Sequence, residues 1–229
     1  MPGPTFMSGE RVSLHTVEEE DLDLYARAHA DPDIRVPLTI DDVENRTTLE
    51  ERFEEDISDD DSVHLMATVD RETAEAVAGS ERVAAQLASD EDDERESDGE
   101  DDGESEAAGG AVDAEGDAEE DERVAVGSVM FFRIDESAGA AKLAYWVLPE
   151  YQGEGFGREA VSLLLEYGFD ELRLNRVGAH CLASNEASSG LLESLGFERE
   201  GRRRERHYVD GEYVDALGYG LLATEWRDA

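Results

Sequence analysis

The chain is poor in cysteine, lysine and long apolar runs, and each shortage excludes something. Cys181 is the single cysteine, so no intrachain disulfide can form. The five histidines, at 15, 29, 64, 180 and 207, fall at no ligand spacing, and no metal site is expected. No apolar run approaches the roughly 18 residues of a membrane span. The first residues, Met1-Pro-Gly-Pro-Thr-Phe-Met-Ser-Gly9, lack the basic stretch and apolar centre of a secretion signal. These features predict a soluble, cytoplasmic protein with no membrane partner. Lys142 is the only lysine among 20 basic residues, which face 60 acidic ones for a net charge of −40. This balance is of halophilic type: carboxylates keep the surface hydrated, while their mutual repulsion weakens the compact state unless salt screens it. It also excludes duplex nucleic acid as a partner, whose phosphates need a basic footprint.

Length and apolar content predict one domain over residues 1–229, interrupted at about 71–122. From Asp90 to Glu122 there are 19 acidic residues against the single Arg95, with almost no aromatic or β-branched content. Such a segment cannot bury enough apolar surface to offset its ordering entropy, so disorder is expected there, with a weak helix over 71–89. The flanking runs Ser62–Val69 and Val124–Ile134 read as neighbouring strands that would form a hairpin without the insertion.

Upstream, Arg11–His15 reads as a short strand, Glu19–His29 as a helix and Val43–Ile57 as a more polar one. Downstream, Val161, Leu164, Leu165, Phe169 and Leu172 recur at helical steps over 157–172. Arg176–Leu182 is a strand candidate, and Asn185 stands where a cap would open a helix that Gly196 closes. Arg202–Tyr208, a turn at Asp210-Gly211 and Tyr213–Leu222 read as an antiparallel hairpin.

The most informative stretch is Gln152-Gly153-Glu-Gly155-Phe156-Gly157-Arg158, between the apolar run Leu143–Pro149 and the amphipathic helix. A strand feeding a glycine turn at a helix start clusters free backbone N–H groups at a positive dipole end, which suits a pyrophosphate. The spacing fits neither a dinucleotide fingerprint nor a P-loop, so the turn by itself points only to something phosphorylated.

The succession Tyr145-Trp146-Val147-Leu148-Pro149-x-x-Gln152-x-x-Gly155-x-Gly157, Arg176-Val177, Asn185-x-x-Ser188, Leu195-Gly196-Phe197 and Glu200-Gly201 resembles the GNAT acetyltransferases, particularly the RimJ/RimL branch. The resemblance covers nearly all of 124–226 and, more weakly, the N-terminal part with Asp31-Pro-Asp33; residues 71–122 match nothing in it. It implies an α/β fold of mixed α+β, three-layer type, the acyl-CoA N-acyltransferase fold. In it two central parallel strands splay apart to admit the pantetheine arm, and an antiparallel hairpin ends the chain.

The resemblance implies acetyl-CoA as donor. Gln152, Gly153, Gly155, Phe156, Gly157 and Arg158 then hold its phosphates; Val147 pairs with pantetheine and points an N–H at the thioester, with Trp146 and Leu148 flanking it. Asn185 bonds the pantetheine, Ser188 protonates the leaving thiolate, and Tyr145 is a second catalytic candidate. Relatives often carry glutamate where this chain has Lys142, so one acidic contact toward the amine is missing. Packing is the expected role of Cys181, and ion pairing with the acidic surface that of Arg202-Arg203-Arg204-Glu205-Arg206. Asp215 matches an acidic position of the family without a role attached to it. The implied function is transfer of acetyl to a primary amine, with a protein N-terminus as leading acceptor. A small amine such as a polyamine or antibiotic, and a noncatalytic CoA-binding sensor, are the alternatives, and homodimers are common among similar proteins.

Overall fold

In the computed structural model, residues 3–40, 46–53, 61–87 and 123–228 are described. Eight strands form one sheet in the order β1-β2-β3-β4-β5-β6-β8-β7. They are β1 (Thr5–Ser8), β2 (Ser13–Thr16), β3 (Val63–Asp70), β4 (Arg123–Asp135), β5 (Ala140–Val147), β6 (Arg176–Leu182), β7 (Glu198–Val209) and β8 (Glu212–Leu222). All neighbours are antiparallel except β5 and β6. The helices are α1 (Leu22–Ala30), α2 (Pro32–Leu38), α3 (Arg46–Arg52), α4 (Arg71–Ala78), α5 (80–87), α6 (Phe156–Asp170), α7 (Glu186–Ser194) and α8 (Ala223–Asp228).

Side chains alternate across a sheet, so each face has its own helical layer. On one face Tyr25 of α1 bonds Ser128 of β4 at 2.8 Å and stands edge-on to Trp146 of β5. On the other, Gly168 of α6 has no room for a Cβ, which would lie 2.5 Å from Phe131, and a Cβ on Gly157 would lie 3.1 Å from Val147. Leu164, Leu165, Val161 and Phe169 form the buried stripe of α6 that the three- and four-residue spacing predicts.

The two strands flanking the insertion pair as predicted, from Val63↔Phe131 to Asp70↔Arg123, with a bulge between Ala67 and Thr68. The first part of the insertion is helical and packed. Asp70 caps α4 through the Thr73 N–H at 2.7 Å, Ala74 and Val83 are fully buried, and Gln86 donates to the Ala125 carbonyl beside the bulge at 2.8 Å. The insertion is therefore ordered over 71–87, where sparse apolar residues suffice because each is buried. The disorder expected over 90–122 concerns residues outside those described.

Three elements were not anticipated: β1, α2 and the terminal α8. β1 pairs with β2, and α2 is capped by the Asp31 carboxylate on the Asp33 N–H at 2.8 Å and closed by Thr39 at φ 56°. The polar helix expected over Val43–Ile57 is described over Arg46–Arg52; 41–45 and 54–60 lie outside the described residues.

Candidate active site

The parallel pair β5–β6 is joined only at Ala140↔Arg176, Ala141↔Val177 and Lys142↔Gly178. Past Lys142 and Gly178 both strands continue without pairing to each other, so the sheet is split and backbone groups along both margins lack strand partners. The direction of those groups follows from strand alternation: the Leu148 N–H bonds the Val126 carbonyl, and the Trp146 carbonyl crowds Gly127 of β4. Even-numbered peptide groups of β5 thus face β4, and those of Leu143, Tyr145 and Val147 face the split. Of the three residues expected around the thioester, Val147 alone offers its backbone to the gap. Trp146 and Leu148 are both buried, Trp146 against Tyr25 of α1, and the Trp146 carbonyl and Leu148 N–H are turned toward β4.

A cavity of about 1320 Å³ runs through the split. At one end lies the glycine turn. Gly153 and Gly155 hold φ of 84° and 88°, which L side chains rarely adopt, and this turns the chain into α6 with Gly155 as N-cap. The first intrahelical bond is Glu159 N–H to the Gly155 carbonyl, which leaves the N–H groups of Phe156, Gly157 and Arg158 without a helical acceptor. Phe156 is buried beneath the Arg11 guanidinium, 5.0 Å from its ring centre, and Arg158 is exposed at the cavity wall. The Gln152 amide is turned back onto the Val147 carbonyl, donating at 2.9 Å. It is thus placed on the strand margin, away from the role at the phosphate turn that the motif implies.

Arg11 escaped the sequence reading. It is held by Glu159, whose carboxylate accepts from the Arg11 N–H at 2.7 Å and the Val12 N–H at 3.1 Å and faces the guanidinium at 3.5 Å. The β1–β2 turn thereby brings a second arginine beside Gly155. The signal was too weak to find in sequence, because the contact joins residues far apart in the chain.

Midway along the split, Asn185 caps α7 by accepting from the Ser188 N–H at 2.9 Å. This seats the Ser188 hydroxyl 2.8 Å from that of Tyr145, and the two predicted catalytic residues meet. Burial, chiefly, pushes the Tyr145 phenol up to about 12. Cys181 is buried and its thiol is also pushed up by burial, which suits packing and not a nucleophile.

The far side of the cavity, toward α1 and α2, is lined by Tyr25, His29, Ile34, Met130, Phe132 and Trp146, and by His64, His180 and His207. Trp146 Nε1 is buried there with no hydrogen-bond partner among the described residues. His180 stands on the part of β6 that is paired with β8 but not with β5. Its pKa is lowered, first by desolvation and then by the neighbouring His207, Arg203, Lys142 and Arg206. Of the arginine cluster, Arg202 pairs with Asp215, which also accepts the Glu205 N–H at 2.7 Å. Arg203, Arg204 and Arg206 make no ion pair among the described residues, which corrects the expectation for three of the four arginines. Among the described residues no cluster of ligating side chains could hold a metal, and no helix is long and apolar enough to cross a membrane.

Comparison with known proteins agrees with this architecture. Residues 88–198 match the Acetyltransferase (GNAT) domain family. The ribosomal N-acetyltransferase candidate YdaF of Bacillus subtilis is 36% identical over 101 residues, 44% of this chain and 55% of its own length. The [ribosomal protein uS5]-alanine N-acetyltransferase of Escherichia coli is 29% identical over 46% of this chain and 55% of its own. The spermidine N(1)-acetyltransferase of Vibrio cholerae is 29% identical over 44% and 58%. The chain thus spans little more than half the length of these relatives. A crystal structure of spermidine N-acetyltransferase from Vibrio cholerae in complex with CoA and spermine superposes with a TM-score of 0.70, covering 96% of this chain and 99% of that one at 18% identity. The fold is the mixed α/β GNAT fold.

Proposed function

We propose that this protein transfers the acetyl group of acetyl-CoA to the α-amine of a protein N-terminus, by direct attack with donor and acceptor bound together. The observation that carries the reading is the parting of β5 and β6 after Lys142 and Gly178, with helix-start amides that have no helical acceptor at one end of the opening and a hydrogen-bonded Tyr145–Ser188 pair on its wall. The residues fit the donor. The N–H groups of Phe156, Gly157 and Arg158, with Arg11 and Arg158 beside them, would hold its phosphates, and the free margin of β5 would accept its amide-bearing arm. Acetyl-CoA supplies an activated thioester. The Val147 N–H faces the gap where negative charge develops on the acyl oxygen, and such a donor is worth roughly 2.7–4 kcal/mol in measured cases.

As the amine nitrogen bonds to the acyl carbon and the carbon–sulfur bond breaks, Ser188 gives its proton to the sulfur, Tyr145 replenishes Ser188, and Tyr145 regains a proton from solvent in the open cleft. A phenol with a pKa of about 12 holds its proton throughout the neutral range, so it acts as a donor and not a base. On the acceptor side, cations around His180 disfavour an ammonium ion and lower the pKa of an α-amine already near 7.7–8.0. His180, kept neutral by the same surroundings, can relay the released proton to solvent but is disfavoured from holding it.

Isothermal titration of acetyl-CoA, followed by thiol-release assays with N-terminal peptides and with polyamines in molar KCl, tests the proposal. Binding with turnover on peptides is expected. Tight binding without turnover on any amine would replace the enzyme by a CoA sensor, and absence of binding would remove both.

A further inference from the structure

The outer strands β6, β8 and β7 carry a feature that acetyl transfer alone does not require. Register places His180 opposite Gly218, and Gly218 opposite Gly201; one step along, Leu182 faces Ala216, and Ala216 faces Arg203. Directly opposed residues share a face, so His180, Arg203 and, beyond the bulge, His207 opposite Val214 rise from the α1 side of the sheet. A Cβ placed on Gly201 or Gly218 would meet nothing within 4 Å, so the floor between these side chains is open. Lys142 leans over Gly178 on the same face, its Nζ 2.6 Å from where a Cβ would stand. The result is a trough that opens from the acceptor side of the cavity and is walled by Lys142, His180, Arg203 and His207, with the Arg206 charge close enough to act on His180.

Its charge is exceptional for this chain. Where acids outnumber bases three to one, Lys142, Arg203 and Arg206 make no ion pair among the described residues, although each acts on His180. Two nearby acids are engaged by other arginines, while Glu198, opposite Gly220, and Glu212, opposite Val209, mark the two ends of this face. Glu200, the carboxylate on which Lys142 also acts, is held by Arg176 at the trough's end, and Asp215 holds Arg202 on the opposite face. Asp33 and Asp61 lie against the cavity on the side of α2 and β3.

Resting on the acetyltransfer reading, we infer that the trough selects acceptors bearing carboxylates close to the reacting amine: protein N-termini whose residues just after the first are Asp or Glu. The amine enters the split beside Val147, and the next side chains lie over Gly218 and Gly201 with their carboxylates on Arg203, Arg206 and Lys142. A polyamine meets the opposite situation, since its second and third ammonium groups would fall among five groups that are cationic or can become so.

The test uses the intact chain, acetyl-CoA and peptides with one N-terminal serine that differ only at positions 2–4, acidic, neutral or basic, with spermidine and free glutamate alongside. The expected order of kcat/KM is acidic, neutral, basic, then spermidine. The acidic-to-basic ratio should be about ten, the size expected of two or three partly exposed charge pairs, and should shrink as KCl is raised. Arg203→Glu with Arg206→Glu should invert the order of acidic and basic peptides, with thermal melting confirming that the exposed edge strand still folds. Basic peptides or spermidine used as well as acidic peptides, or an order untouched by the charge reversal, would overturn the inference while leaving acetyl transfer intact. Free glutamate preferred over every peptide would reassign the trough to a small acidic amine and overturn it too. No thiol release with any acceptor would sink the parent reading with it.

Discussion

Replacing Gly155 by valine tests the phosphate turn most directly. Gly155 holds φ 88° and ψ −1° as the N-cap of α6, and its new Cβ would point at the Arg11 guanidinium 3.2 Å away. A β-branched residue there costs about 1–3 kcal/mol, relieved only by rotating the turn out of the left-handed region. That rotation swings the N–H groups of Phe156, Gly157 and Arg158 off the cavity axis. Hydrogen bonds to a charged partner contribute about 1.5–3 kcal/mol each. Loss of two should weaken acetyl-CoA binding by at least roughly 100-fold, at about 1.4 kcal/mol per factor of ten. The same strain lowers the melting temperature by only about 2–12 °C, at roughly 2–4 °C per kcal/mol for a domain of this size. Calorimetric titration in molar KCl, with circular dichroism on the same sample, separates the two effects. Gly155→Asn is the control, because asparagine tolerates the left-handed conformation and should retain most of the affinity. A valine variant that is folded and binds acetyl-CoA within twofold of the parent would refute the assignment of these amides to phosphate.

Other perturbations reach the remaining parts. Tyr145→Phe removes the donor behind Ser188 and should lower kcat about tenfold while Ser188→Ala lowers it further, within the roughly 10²–10⁴ that acid catalysis contributes; equal or absent effects in single-turnover thiol release would dismiss the relay. Tyr145 and Tyr151 both have phenols pushed up to about 12 by burial. Their neutral forms therefore favour the folded state below pH 10, and this stability should be lost as pH rises from 10 toward 12; denaturant midpoints in Tyr145→Phe should decline less over that window. Deleting 90–122 should leave thiol release at high salt unchanged, and a lost activity would give the acidic segment a task.

The sequence identified the strands and helices around the cleft because each carries a strong local signal: the α6 stripe from Val161 to Phe169, the apolar runs of β4 and β5, and the Asn185 cap of α7. α2 was hidden by the two prolines within Pro32–Leu38, which read as breakers although Pro32 sits at the first turn, where a missing N–H costs nothing. β1 is four polar and apolar residues with no pattern of its own, and it exists through pairing with β2. At the site, glycine positions and the Asn185–Ser188 spacing were legible because they act locally. The face on which Trp146 lies was not, since alternation fixes which residues share a face and only packing against α1 decides which face it is. The cationic trough was also illegible: His180, Gly218 and Arg203 come together through the register of three strands, and register depends on bulges that no local spacing announces.

Gln152 is where motif and geometry disagree, and the disagreement can be measured. The sequence pattern implies a side chain at the phosphates, whereas its amide closes on the Val147 carbonyl at 2.9 Å, the group facing the margin where pantetheine would pair. If the amide is a placeholder for the donor's own N–H, binding replaces one hydrogen bond by another, and Gln152→Ala removes a competitor. An exposed bond of this kind nets about 0.5–1.5 kcal/mol, so acetyl-CoA should bind the alanine variant equally or up to roughly tenfold more tightly. A phosphate ligand would behave oppositely, with affinity falling by a similar factor. Desulfo-CoA and free pantetheine sharpen the contrast: the placeholder predicts that both gain from the substitution, because both carry the arm. A loss confined to ligands that retain the phosphates would return Gln152 to the pyrophosphate turn and leave the Val147 carbonyl without a gate.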